Sequence, residues 1–374
     1  MVTQKVILWV TEIIIVMAAL FAIQLPLRRK PFRIARTLVF AVKILLIPAA
    51  AFLLIATDNS IAYNTIDFLG ALYLALIGDV TGSIAEYIIR VITKRGKGSE
   101  IYVCSLIQCG ILSVLFCAAI TSLSIWNATN VIMHEHQWVV NGLEQEHTFA
   151  FVSDIHAGTA QSLDNLKGVC EKINQQKPEF VILGGDVTDE LTTYEDMVKT
   201  YETIGEIDAP VYFVYGNHDR QPNASYIGGR TYTDEQLIRS IEDAGIIILS
   251  DDYVKVADDL VLLGREDISA GDKRAGWDEL KNPYEGEGAL IVADHQPFDE
   301  EQRHKQNAAL QLSGHTHAGQ LFPLRFIYIA AGIETYGEYE RDNTLLYVSA
   351  GESGWGVPAR TEARCEWELI TLRP

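Results

Sequence analysis

Four apolar stretches crowd the front of this 374-residue chain, at residues 6–27, 37–57, 66–92 and 101–126. At about 1.5 Å of rise per residue, each can cross the roughly 30 Å of a bilayer's hydrocarbon core. A cleaved signal peptide would account for the first stretch alone, and that stretch opens with little positive charge and lacks a small-residue cleavage site before Arg28. It reads as a retained helix. Charge divides the chain at the same place. Residues 1–126 carry 11 Lys and Arg against 6 Asp and Glu, whereas residues 127–374 carry 19 against 43. A second half with a net charge of −24 repels nucleic-acid phosphates, so no nucleic-acid partner is expected.

The basic residues fix an orientation. Arg28, Arg29, Lys30, Arg33 and Arg36 follow the first stretch, Lys94, Arg95 and Lys97 follow the third, and residues 58–65 hold no Lys or Arg. The positive-inside bias then puts both basic loops in the cytoplasm, with both termini and the large domain after Trp126 outside. The expected protein is multi-pass in the cell membrane, with residues 127–146 a linker and residues 147–374 an extracytoplasmic domain. Glu12, Lys43, Asp79 and Glu86 interrupt the spans, and intramembrane charge is usually paired or functional. Snorkelling and structural pairing are the favoured reading of these charges, depth along the spans making a Lys43–Glu86 pair plausible; the sharper alternative has Asp79, between Gly78 and Gly82, lining a lipid-access cavity. Cys104, Cys109 and Cys117 fall in the fourth span as small apolar side chains, which leaves Cys170 and Cys365 as the two cysteines that could bridge in the outer domain.

From His147 onward, short apolar runs alternate with amphipathic helical segments, the pattern of an α/β domain. Residues 149–153, 180–183, 211–215, 260–264, 290–293, 309–312 and 345–348 read as buried strands, with helices over 162–175 and 194–204. Several strands run directly into polar residues: Asp154-Ile-His156, Gly185-Asp186, Gly216-Asn217-His218-Asp219, Asp294-His295 and Gly314-His315-Thr-His317. Ligands bind at the carboxyl ends of strands in such sheets, so the five groups can converge. Carboxylate, amide oxygen and imidazole without thiolate suit borderline divalent ions such as Mn, Fe or Zn. In an extended chain, residues two apart point the same way, which lets Asp154 and His156 reach one ion.

Taken in order, these blocks resemble the calcineurin-like metallophosphoesterase superfamily over residues 147–374. The run Gly-His-Thr-His-Ala-Gly-Gln-Leu-Phe-Pro at 314–323 and Tyr-Val-Ser-Ala-Gly at 347–351 look like its membrane-anchored bacterial branch. The resemblance implies an α/β (α+β), four-layer β-sandwich flanked by helices and preceded by a four-helix transmembrane module. It also implies two divalent metal ions. Asp154, His156, Asp186 and His317 would hold one, and Asp186, Asn217, His295 and His315 the other. His218 would contact the phosphate and protonate or stabilise the leaving oxygen, with Asp219 orienting its ring. The implied activity is that of a metal-dependent phosphohydrolase acting on a phosphorylated small molecule or a lipid-linked phosphoester or pyrophosphate at the membrane. The rival from another class is a non-catalytic metal-binding receptor or scaffold; no ligand of any block is missing, which favours the enzyme. Arg230, Arg265, Lys273, Arg274 and Arg325 are candidate phosphate binders, and Tyr336 and Trp355 candidate walls of an apolar entrance. His134, His136, His147 and His304 match no block and read as surface or boundary residues.

Overall fold

The computed structural model describes residues 2–27, 33–56, 63–93, 111–158, 160–220, 230–297, 307–341 and 344–374. The chain divides into two compact units, residues 3–126 and, with residues 1–2, residues 127–374.

Helices α1 (Val2–Leu27), α2 (Arg33–Ala56), α3 (Tyr63–Thr93) and α4 (Ile111–Thr129) account for the described part of the first unit, α4 running on into the second. Among the described residues, Phe68–Ile89 and Ile111–Thr129 are long and apolar enough to cross a membrane, and Val6–Ala22 and Leu38–Ile47 are shorter apolar helices. Two sequence expectations are corrected here. Lys43 Nζ lies 2.5 Å from Asp79 Oδ2, both side chains being buried, so its partner is Asp79 and not Glu86. Nor do the glycines flanking Asp79 open onto a cavity. A Cβ on Gly78 would stand 2.5 Å from the Cα of Cys117, and one on Gly82 would stand 2.4 Å from the Cα of Ser113. The two glycines let α3 and α4 meet backbone to backbone, as small residues four apart do between membrane helices.

The second unit is a mixed α/β sandwich of two six-stranded sheets. The first sheet has the order β1 (Ile132–Val139), β12 (Glu366–Arg373), β2 (His147–Val152), β3 (Val181–Leu183), β4 (Val211–Phe213), β5 (Ile247–Ile248). The second has β10 (Gly337–Arg341), β11 (Thr344–Val348), β9 (Leu310–Ser313), β8 (Ala289–Ala293), β7 (Leu260–Gly264), β6 (Asp252–Ala257). Side chains alternate across each strand, so one strand feeds two cores. Phe149 and Phe151 of β2 point between the sheets, where they join Ile182, Leu262, Ile291 and Leu312. Ala150 and Val152 point outward against α5 (Leu163–Gln176), α6 (Tyr194–Ile204) and, beyond the single turn α7 (Asn217–Arg220), α8 (Asp234–Asp243). Each of these helices starts at a Ser or Thr whose hydroxyl accepts a backbone N–H of its first turn, at Ser162, Thr193 and Thr233. The outer face of the second sheet is covered differently from expectation. Among the described residues, the irregular segment carrying Trp277, Leu280 and Tyr284 packs there, where a helical layer was expected.

The expected linker is also partly strand. β1 pairs in parallel with β12 from Ile132 to Val139, at the edge of the first sheet. Cys170 and Cys365 are both buried as free thiols, so the envisaged bridge does not form.

Candidate metal centre

Strands β2, β3 and β4 run parallel, as do β7, β8 and β9, so their carboxyl ends fall along one rim of each sheet. The five polar blocks leave from those ends. They bring together two groups of donors: Asp154, His156 and His317 offer atoms all within 4.8 Å of one another, and so do Asp186, His295 and His315. Asn217 joins the second group, its Oδ1 lying 2.8 Å from His315 Nδ1.

The local backbone is bent to make this possible. Asp154, His156, Asp186, His315 and His317 all adopt positive φ, from 47° to 71°. That region is costly for any residue with a Cβ and persists only where the surrounding structure enforces it, most often at functional sites. Close approach needs glycine too. A Cβ at Gly216 would lie 2.1 Å from Asp186 Oδ1, and one at Gly314 would lie 2.2 Å from Asp154 Oδ2.

Hydrogen bonds from behind set the rings. His295 Nδ1 lies 2.8 Å from the Gly184 carbonyl, which fixes the proton on Nδ1 and turns Nε2 toward Asp186 Oδ2 at 2.9 Å. His317 Nδ1 lies 3.2 Å from the Ser353 carbonyl, with its Nε2 3.7 Å from Asp154 Oδ1. Asp186 Oδ2 and His295 Nε2 are buried without a well-formed hydrogen bond from either atom. Two buried carboxylates ringed by imidazoles, with such atoms facing each other, fit a bound cation. All seven donors are oxygen or nitrogen, the set that takes Mn, Fe or Zn.

Electrostatics prepares the same state. Burial opposes ionisation of Asp186, but His295 and His218 beside it hold its carboxyl well below the usual range. Burial, then the charge of His295, lowers His315 to about 4, and burial lowers His317 to about 3. Both rings are therefore neutral at pH 7 and present a lone pair. His295 goes the other way: burial disfavours its charge, but the Asp186 carboxylate lifts it to about 10.

His218 lies beside this cluster, its ring 5.0 Å from that of His156 and 5.5 Å from that of Trp355. Its expected orienting partner is corrected. The carboxylate of Asp219 accepts the backbone N–H groups of Asp186, Thr188 and Gly216 at 2.7, 2.9 and 3.0 Å, tying together the loops after β3 and β4. Glu190 takes the ring instead, with Oε1 2.7 Å from His218 Nδ1. Asp189 similarly stands 3.5 Å from His156 Nδ1. The consecutive acids in Asp186-Val-Thr-Asp-Glu190 were the available signal for both residues.

The expected phosphate-binding cations are mostly engaged internally. Arg265 pairs with Asp251, Arg274 makes a forked pair with Asp294 at 3.0 and 2.7 Å, and Arg230 pairs with Asp234. Arg325 stacks 5.0 Å over Tyr336, and Lys273 is exposed. A further cation went unnoticed in the sequence. Arg360 is fully buried, and its guanidinium donates to the carbonyls of Gly351, Ser353, Ala350 and His317, clamping the loop that carries His317. His147 is not a surface residue: it is buried, with Nδ1 and Nε2 each 2.7 Å from Glu179 and Asp259 respectively. His304 lies outside the described residues.

Residues 147–319 match the sequence model of the calcineurin-like phosphoesterase family. The chain carries a calcineurin-like phosphoesterase domain. Among relatives, a transmembrane protein with metallophosphoesterase domain from Danio rerio is 30% identical over 63% of this chain and 54% of its own length. An uncharacterized metallophosphoesterase from Helicobacter pylori is 28% identical over 62% of this chain and 61% of its own. This chain thus spans a little over half the length of those relatives. The solved structure of a dimetal phosphatase from Danio rerio overlaps the chain at a TM-score of 0.40, with 10% identity over 62% of this chain and 99% of that one. In this phosphoesterase domain, the matched segment takes in every donor of the two clusters.

Proposed function

We propose that this protein is a membrane-anchored, dinuclear-metal phosphohydrolase acting outside the cytoplasm on a phosphoester or phosphoric anhydride, with a lipid-linked substrate favoured. The observation that carries the hydrolase reading is the pair of adjoining buried clusters, Asp154–His156–His317 and Asp186–His295–His315, with Asn217 bonded to His315.

In this reading Asp154, His156, Asp186 and His317 hold one divalent ion, and Asp186, Asn217, His295 and His315 hold the second. Two such ions supply positive charge for a phosphoryl group and acidify water near it. The chain's own groups do the rest. Neutral His315 and His317 keep their lone pairs available at physiological pH. His218, held through Nδ1 by Glu190, keeps Nε2 as the atom that can pass a proton to the leaving oxygen. Trp355, beside His218, forms an apolar wall that limits water on that side.

Among the described residues, four apolar helices, with basic residues in the sequence between the first and second and after the third, support the multi-pass anchor and the outward domain. The two segments that pass as spans by length and composition, together with the transmembrane protein among the relatives, agree with it. An integral anchor concentrates the site at the bilayer surface, which is the argument for a lipid-linked substrate. The test is turnover of a generic aryl phosphodiester by the purified full chain with added manganese, alongside Asp186→Ala and His218→Ala. Equal rates in parent and both variants would sink the catalytic assignment. A screen of lipid extracts then addresses the substrate class.

A further inference from the structure

On this acidic domain one stretch carries no acid: residues 302–333 contain no Asp or Glu, in a half of the chain that holds 43. Its described part runs from the site loop of His315 and His317 into α9 (Leu324–Ala330). There Phe322 is 47% exposed, Phe326 60% and Ile329 53%. Phe326 and Ile329 are three apart on a helix and share a face, and the rings of Phe322 and Phe326 touch edge to face at 5.8 Å. Single exposed apolar residues are ordinary, as Ile247 and Ile268 are here, but a cluster of three large ones marks an interaction surface.

Hydrogen bonds connect this turn to residues 127 and 128, at the start of the same unit. Phe322 N donates to Thr361 Oγ1 at 2.7 Å, and Thr361 N donates to Gln320 O at 2.9 Å. The adjoining Arg360 carbonyl accepts from Asn127 Nδ2 at 3.1 Å, while Cys365 N donates to Asn127 O at 3.1 Å and Cys365 Sγ to Ala128 O at 3.3 Å. Residues 127–129 are where the chain enters this unit, directly after the apolar residues 111–126 in sequence. The same strip reaches the site through Arg360, which donates to the His317 carbonyl at 2.6 Å.

We infer that the turn carrying Phe322, Phe326 and Ile329 is a membrane-docking surface seated in the headgroup–acyl boundary of the bilayer that holds the anchor. This rests on the membrane-anchor reading above. The apolar side chains gain by leaving water for that boundary, as on interfacial helices. The turn's own sequence adds no acid to repel anionic headgroups, and Arg325 on the same turn, although it also faces Glu362, is attracted to them. Because the site loop leads directly into this turn, docking holds the metal centre at the lipid surface, where a phosphoester displayed by a lipid is presented to it.

The test uses the full chain in vesicles of phosphatidylethanolamine and phosphatidylglycerol, with a benzophenone amino acid placed singly at 326, 329, 247 or 268. Illumination is expected to give phospholipid adducts at 326 and 329 in about tenfold or greater excess over 247 and 268, the ratio that burial of one large apolar side chain sustains. Equal adduct yields at all four sites would overturn the inference, and so would capture of a second copy or of the chain's own residues in place of lipid. Turnover of a soluble aryl phosphodiester by the parent chain tests the hydrolase reading separately. Adducts without turnover would indict that reading, and turnover without adducts would indict the docking surface.

Discussion

Glu190 Oε1 stands 2.7 Å from Nδ1 of His218, and this carboxylate, not that of Asp219, sets the ring. Both groups are buried, so the pair polarises the imidazole where water cannot screen it. Burial alone would strip the proton from His218, but the charges of Glu190 and Asp186 raise its pKa well above the ordinary value. If His218 donates a proton, activity falls as pH rises through that pKa. Glu190→Gln is predicted to lower phosphodiester turnover about 10–100-fold and to move the alkaline limb of its pH profile to lower pH. A profile of unchanged shape would show that Glu190 supports the loop without tuning the ring.

His295 leads to a prediction about metal uptake. With no cation present, Asp186 holds a proton on His295 up to about pH 10. A cation can take Nε2 only if that proton leaves, so affinity should climb with pH across the neutral range. Calorimetric titration of manganese into metal-free protein, in buffers of different ionisation enthalpy, is expected to report release of about one proton through His295. In His295→Gln that release should vanish and affinity should fall. Identical proton release in the variant would remove His295 from the site.

How far the sequence reaches can be judged residue by residue. The apolar runs at 149–153, 180–183 and 290–293 were legible as strands because both of their faces are buried, which leaves continuous hydrophobicity. β1 and β12 were not. β1 is a half-exposed edge that reads Ile-Met-His-Glu-His-Gln-Trp-Val, and β12 carries Glu366 and Glu368 into the interior, where Tyr336 and the Ala350 N–H bond Glu366, and Tyr347 and Ser349 bond Oε1 of Glu368. Polar residues whose partners come from far along the chain hide a strand from local pattern. The metal donors were legible because each follows a strand end in a short spaced motif. Glu190 and Arg360 were not, since what they touch depends on how loops fold over one another. Depth counting misassigned Lys43 because it treats each span as an independent rod, whereas Gly78 and Gly82 draw α3 and α4 together and packing decides which carboxylate faces the lysine.

His147 bridges two carboxylates far from the metal centre and should matter for stability alone. Burial disfavours its charge, but the bonds to Glu179 and Asp259 and their charges outweigh this, and its pKa is raised from 6.5. Burial likewise opposes Asp259, whose pKa nevertheless drops to about 2 through the Glu144 N–H and His147. The His147 contribution is complete below 6.5 and fades as pH rises through its folded pKa. The Asp259 contribution is complete above 3.8 and fades as pH falls toward about 2. The bridge therefore stabilises most between those two reference values. His147→Ala is expected to cost about 2–3 kcal/mol there, because the carboxyl of Asp259 stays buried without its partner. Melting temperature against pH should show the parent–variant gap narrowing at both ends. A gap that is flat with pH would mean that the loss comes from packing.

The Lys43–Asp79 pair joins α2 to α3 within a unit whose described helices are mostly apolar. A lone charge left among those helices is expensive, whereas a neutral pair of similar volume loses little, because attraction within a buried pair largely offsets its desolvation. Lys43→Met and Asp79→Leu made singly are each predicted to destabilise the full chain by about 3 kcal/mol or more in detergent micelles, with lower yield from membranes. The double variant should recover most of that loss. Thermal unfolding of the four proteins forms a double-mutant cycle, and its coupling energy isolates the pair from the packing of either side chain. A double variant as unstable as the sum of the singles would mean that Lys43 and Asp79 stabilise the helices independently, and the distance between them would then carry no energetic meaning.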